Sequence, residues 1–137
     1  MLSIGQMSRR TGVKIPTIRF YEQKGLLPEP ERSAGNQRRY EPAALNRLAF
    51  IRHARDLGLP LDDVAALISL EGARGATLDR AHDIAQTQQA RLRDRISKLR
   101  SLERELGRIA GACDGQHDHV CAVLHAFGDH QTCAGEH

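Results

Sequence analysis

The sequence predicts a mostly α-helical chain: a winged helix-turn-helix, then one long helix, then a short terminal loop and helix. Three observations predict it. Two short helical patterns meet at Gly12, and the turn pair Gly35-Asn36 follows them between arginines. Apolar residues then recur at Leu92, Ile96, Leu99, Leu102, Leu106 and Ile109, at the three- and four-residue steps of one helical stripe. All three Cys and five of the seven His lie in the last 25 residues. The expected divisions are 1–72, 76–112 and 113–137.

Ser3 with Gln6 three residues on is a capping-box pattern, and Ile4 and Met7 start the first helix behind it. Gly12 should end that helix. Pro16 suits the first turn of a second helix, which reads Thr17 to Lys24 and stops near Gly25. Two short helices joined by a tight Gly-containing turn make a helix-turn-helix. The second presents Lys14, Thr17, Arg19 and Tyr21, side chains suited to phosphates and base edges. Pro28 and Pro30 break the helix, and Arg32 to Tyr40 reads as a basic hairpin, the wing, with Arg32, Arg38, Arg39 and Tyr40 on its flanks. Pro42 opens a third helix, with Leu45, Leu48 and Ile51 apolar, and Gly58 ends it. Pro60, Asp62 and Asp63 open a fourth, with Val64, Leu67 and Ile68 apolar. Gly72 to Gly75 is a hinge.

The long helix is expected from Thr77 to Ala112. Its other faces carry Arg91, Arg93, Arg95, Lys98, Arg100, Arg104 and Arg108 with Asp94, Glu103 and Glu105. At about 1.5 Å per residue it spans roughly 50 Å, more than the diameter of a small domain. A chain of this length cannot cover such a stripe alone, so a homodimer is expected.

The net charge of +3 hides an asymmetry, +6 over residues 1–60 and −3 over 61–137. A basic first half points to a polyanion such as nucleic acid. Met1-Leu2-Ser3-Ile4 leads straight into a helical pattern, without a basic region and apolar run, and no window approaches the roughly 20 apolar residues that span a bilayer. A cytoplasmic location without a membrane partner is therefore expected, where Cys serve as thiols or metal ligands rather than disulfides.

Several motifs, in order, resemble the MerR family of transcription regulators. They are Ile4-Gly5-Gln6, Thr11-Gly12-Val13, Thr17-Ile18-Arg19-Phe20-Tyr21-Glu22 and Lys24-Gly25-Leu26-Leu27, then Arg32-Ser33, Arg38, Tyr40 and Leu48 to Gly58. The resemblance covers the whole chain. It implies a homodimer held by an antiparallel coiled coil of the long helices, with a terminal effector loop. It also implies binding to double-stranded promoter DNA at an overlong spacer. Effector would then bend and untwist that DNA so that RNA polymerase reads both promoter elements, a use of deformation energy. By motif match, Thr17, Arg19 and Tyr21 would be recognition-helix contacts, and Arg32, Arg38 and Tyr40 wing contacts. Gln37 stands where many relatives carry an aromatic residue.

The terminal segment Cys113-Asp114-Gly115-Gln116-His117-Asp118-His119-Val120-Cys121 is Cys-x7-Cys with two His inside. Thiolates and imidazoles together suit Zn²⁺ and its relatives. The family resemblance implies an effector metal on this Cys pair. Copper-type members hold Cu(I) between the two thiolates. Divalent-type members usually add a Cys from the start of the partner's long helix, a place that falls here at Leu78, which cannot ligate. Against copper, Cys121 is followed by Ala122, where copper-type members commonly have Pro. The expected set is therefore Cys113 and Cys121 with His117 and His119, holding Zn(II), with Cu(I) or another thiophilic ion as the alternative. Asp79 and His82, and His130 with Cys133 in the tail, are weaker candidates.

Two other readings compete. Cys113 and Cys121 could sense thiol redox state, but the adjacent His favour metal. A small zinc enzyme would need an open coordination position and a base in a pocket. The comparable carboxylates, Asp114 and Asp118, lie on the loop itself, and the sequence has no His-Glu-x-x-His motif, so a regulator rather than an enzyme is expected.

Overall fold

The structure, a computed structural model, describes residues 1–112 and 122–128. They form β1 (Leu2–Ser3), α1 (Ile4–Thr11), α2 (Ile15–Gln23), β2 (Glu31–Arg32), β3 (Arg38–Tyr40), α3 (Pro42–Asp56) and α4 (Leu61–Ser69). A 3-10 turn at Gly75–Leu78, α5 (Asp79–Gly111) and α6 (Ala122–Gly128) follow. The chain divides into two compact units, Met1–Ile84 and Ala85–His137.

The first unit is the winged helix-turn-helix with its two further helices. Local chemistry sets its boundaries. The Ser3 hydroxyl accepts from the Gln6 backbone N–H, and the Gln6 side chain accepts from the Ser3 N–H, closing the expected capping box at α1. Gly12 ends α1 at φ 74, in the left-handed region where glycine is unstrained. Pro16 and Pro42 occupy first turns, where a missing N–H costs no helical bond. Asp62 and Asp63 sit in the first turn of α4, beside the positive end of its dipole.

The wing is the hairpin of β2 and β3, with Glu31 opposite Arg39 and Arg32 opposite Arg38. Asn36 takes φ 62 at its turn, a conformation that Asn tolerates better than most residues. A third strand joins from the other side: Leu2 and Ser3 pair antiparallel with Tyr40 and Arg39, so β3 is the middle strand. This pairing ties the chain's first residues to the wing.

One core holds the unit together. Met7 from α1, Ile18 from α2, Leu48 and Ile51 from α3, and Val64 from α4 are all fully buried. Each buried aliphatic side chain contributes roughly 1.5–3 kcal/mol, so the two α3 residues are principal supports for α1, which packs on both α3 and α2. Arg47 of α3 also pairs with Glu71, just beyond α4.

The second unit contains most of α5 and α6. The 33-residue α5 starts two residues later than the sequence suggests, because Thr77 and Leu78 belong to the 3-10 turn. Leu92, Ile96, Leu99 and Leu106 are exposed along it, with Leu99 at 56% and Leu106 at 54%. Exposed large apolar side chains at helical spacing form a face built to be covered. Among the described residues, no helix is long and apolar enough to cross a membrane.

Candidate nucleic-acid interface and metal segment

The reading face starts from α2. Lys14 is its N-cap residue and is exposed, Thr17 is half-buried one turn in, and Arg19 is exposed. Phe20, Gln23 and Lys24 are also exposed, and the Lys24 ammonium stands 5.6 Å from the centre of the Phe20 ring. That cation–π distance joins a positive charge to an aromatic face one turn apart. Phe20 and Lys24 enter the expected motifs only as family markers, yet both lie on the accessible surface of the helix.

The wing adds more cations. Arg32 is exposed, and its Nη1 donates to the Asn36 carbonyl oxygen at 3.2 Å, bracing the turn. Arg39 is half-buried on the middle strand. Lys14, Arg19 and Arg32 thus present charge outward, which suits a polyanion.

Two expected contacts are placed differently. Tyr21 belongs to the buried core, with its ring 6.0 Å from that of Phe20. Tyr40 is 1% exposed, and its hydroxyl donates to Glu22 Oε1. A phenol so enclosed anchors the wing from beneath rather than offering a free surface. The physical reason is the amphipathic tyrosine ring, which sequence alone cannot assign to the core or the surface. Burial, followed by the hydrogen bond to Glu22, holds the Tyr40 hydroxyl well above the usual tyrosine range, so it stays protonated. Arg38 is similarly engaged: its Nε donates to Glu22 Oε2 at 3.1 Å. Glu22, which sequence reasoning named only within a motif, is thus the hub joining α2 to β3. Only pairing across a turn and a hairpin reveals that role.

The metal candidates divide between described and undescribed residues. Cys113, His117, His119, Cys121, His130 and Cys133 lie outside the described residues. Asp79 and His82 lie in the first turn of α5, and both are exposed. Among the described residues, no group of three or more His, Cys, Asp or Glu gathers to hold a metal ion, so Asp79 and His82 do not form such a group within the described chain. The donor chemistry of Cys113 to Cys121, two thiols and two imidazoles, fits a soft or borderline ion.

This architecture, a basic winged helix-turn-helix continued by a long helix with an uncovered apolar face, is that of a helix-turn-helix regulatory protein. Residues 2–71 match the family described as MerR HTH family regulatory protein, and residues 45–109 match the one described as MerR, DNA binding. The chain belongs to the MerR family of helix-turn-helix regulators. The mercuric resistance operon regulatory protein of Serratia marcescens is 35% identical over 123 residues, covering 90% of this chain and 84% of that one. The transcriptional regulator ZntR of Escherichia coli K12 is also 35% identical, over 130 residues, covering 93% and 92%. Among solved structures, the regulator PbrR691 from Ralstonia metallidurans in complex with lead(II) is similar at a TM-score of 0.77 and 35% identity, covering 93% of this chain and 99% of that one.

Proposed function

We propose that this protein is a metal-responsive transcription regulator that binds promoter DNA as a homodimer. The observation that carries the reading is the likeness along nearly the whole chain to a regulator solved with lead(II), at 35% identity. Relatives named for mercury resistance and the regulator ZntR, at the same identity, support the metal-responsive branch equally. In this reading α2 enters a major groove through Lys14, Thr17 and Arg19, and Arg32 and Arg39 meet the adjacent backbone. Tyr21 and Tyr40 support that surface from the core. A second copy covers the apolar row of α5. Cys113 and Cys121 take the ion, with His117 and His119 completing a four-coordinate site for Zn²⁺.

The signal acts on RNA polymerase through the shape of the promoter. Metal shifts the balance between two DNA-bound states only by its differential affinity for them, so promoter affinity need change little. The test is transcription in vitro from a promoter that the protein binds, with polymerase present, across Zn²⁺, Hg²⁺, Pb²⁺ and Cu⁺. One or more of these ions should activate at concentrations that leave promoter occupancy nearly unchanged. Transcription indifferent to all four overturns the metal-responsive reading.

A further inference from the structure

Glu22 spends both of its carboxylate oxygens on the wing. Oε1 accepts from the Tyr40 hydroxyl, and Oε2 accepts from Arg38 Nε at 3.1 Å. Its side chain is only 9% exposed, so water replaces neither bond cheaply. The two partners are the first and last residues of β3, the middle strand of the small sheet. Glu22 itself lies in the last turn of α2. One carboxylate therefore sets the distance between the helix that presents Arg19 and the strand that leads out of the wing.

We propose that Glu22 is a positioning residue for DNA recognition, which fixes the wing against α2 and holds the Arg38 charge in reserve. The inference rests on the DNA-binding reading above. Charge-assisted hydrogen bonds in a partly buried site are stronger than neutral ones, and one anion satisfying two donors couples them. The pairing also neutralises Arg38 in place. Protein cations that meet phosphates release counterions, one for roughly each contact, and an Arg38 held by a carboxylate contributes less to that release.

Glu22→Gln keeps the shape and one acceptor for Tyr40, but it removes the charge and turns an amide toward Arg38. Tyr40→Phe keeps the ring in the core and removes only the hydroxyl. Both variants, their double and the wild-type chain are tested on a duplex that the wild type selects from a randomised pool, against a scrambled duplex of equal length. Circular dichroism melts confirm that each variant is folded at the assay temperature. Each single variant should lose about tenfold in preference for the selected duplex, the loss expected of a charged hydrogen bond. The double should lose clearly less than the two single losses combined, because both act through one anchor. Glu22→Gln should also steepen the salt dependence by about one ion as Arg38 is freed, whereas Tyr40→Phe should not. Simple destabilisation lowers the active fraction on both duplexes alike and leaves that slope unchanged. Wild-type preference and slope retained in Glu22→Gln overturn the clamp while the DNA-binding reading stands. A wild-type chain that selects no sequence from the pool overturns that reading, and the clamp with it.

Discussion

The Arg52 guanidinium, just before the last turn of α3, donates through Nη1 to the backbone carbonyl oxygen of Thr11, 41 residues earlier, at the last residue of α1. The last carbonyls of a helix have no partner within it, and a cation there also opposes the negative end of the dipole. Arg52 thus closes α1 from a different element, and it sits beside Asp56 at 3.5 Å on its own helix.

Gly12 and Gly25 both take φ 74, but they face different surroundings. A methyl group at Gly12 would collide with the Arg52 guanidinium, whereas one at Gly25 would meet nothing within 4 Å. Gly25→Ala should therefore cost only the left-handed conformation, about 1–2 kcal/mol. Gly12→Ala should cost that and the Arg52 bond, roughly another 0.5–1.5 kcal/mol. Urea midpoints would measure both. In an Arg52→Ala background the two glycine substitutions should become nearly equal; a gap that persists there shows that Arg52 is not its source.

The phenol of Tyr40 makes stability fall in alkali. Burial, then Glu22, raise its pKa in the folded state, so the folded chain holds this proton more tightly than the unfolded one. The contribution is complete below the unfolded value of about 10 and is lost as pH climbs beyond it. The urea midpoint of the wild type should drop above about pH 10, and that of Tyr40→Phe should drop less steeply. Near neutral pH the Phe variant should be weaker by about 1.5–3 kcal/mol for the lost hydrogen bond to a carboxylate. Parallel pH curves for the two proteins would remove Tyr40 from the alkaline transition.

Much of this fold was legible because its signals are local. The Ser3–Gln6 box, the glycines ending helices and the prolines opening them each act within a few residues. The stripe on α5 is periodic and needs no partner to be read. The β1 pairing escaped because two residues carry no alternation, and their partners, Arg39 and Tyr40, are distant in sequence. The same limit concealed the Glu22 hub: a single carboxylate in a helical motif says nothing of which donors the fold will bring to it. Tyr21 and Tyr40 read as surface contacts because tyrosine serves both core and interface, and only packing decides.

Assembly is tested on the exposed apolar row. Leu99 and Leu106 are more than half exposed on the single chain, so a charge at either position leaves that chain's own core intact. Covered by a second copy, the same charge becomes buried and unpaired, which is strongly unfavourable. Leu99→Glu and Leu106→Glu should therefore sediment as folded monomers at concentrations where the wild type is a dimer. Exposed positions outside the row, such as Arg93, should tolerate Glu without dissociation. A wild-type monomer at micromolar concentration, or dimers undisturbed by both leucine variants, would contradict assembly through α5.

The segment proposed to hold metal separates its candidate ions by coordination number. Cys113 and Cys121 bound one short stretch directly after α5, with His117 and His119 between them. Cys113→Ser and Cys121→Ser should each abolish metal-dependent activation while promoter binding stays near wild type, because neither residue belongs to the winged domain. The histidines then discriminate. Zn²⁺ prefers four ligands, and two thiolates leave that shell half filled. If Zn²⁺ is the signal, His117→Ala or His119→Ala should shift half-maximal activation to about tenfold or more higher Zn²⁺, at least the scale of losing an outer-shell partner of a ligand. A soft monovalent ion such as Cu⁺ is satisfied by thiolates, so its response should survive both changes. Activation by Zn²⁺ that survives both histidine substitutions would exclude these imidazoles from the site and direct the search to Asp79 and His82 or to His130 and Cys133. A metal response unimpaired in the double serine variant would remove the Cys113–Cys121 segment from sensing altogether.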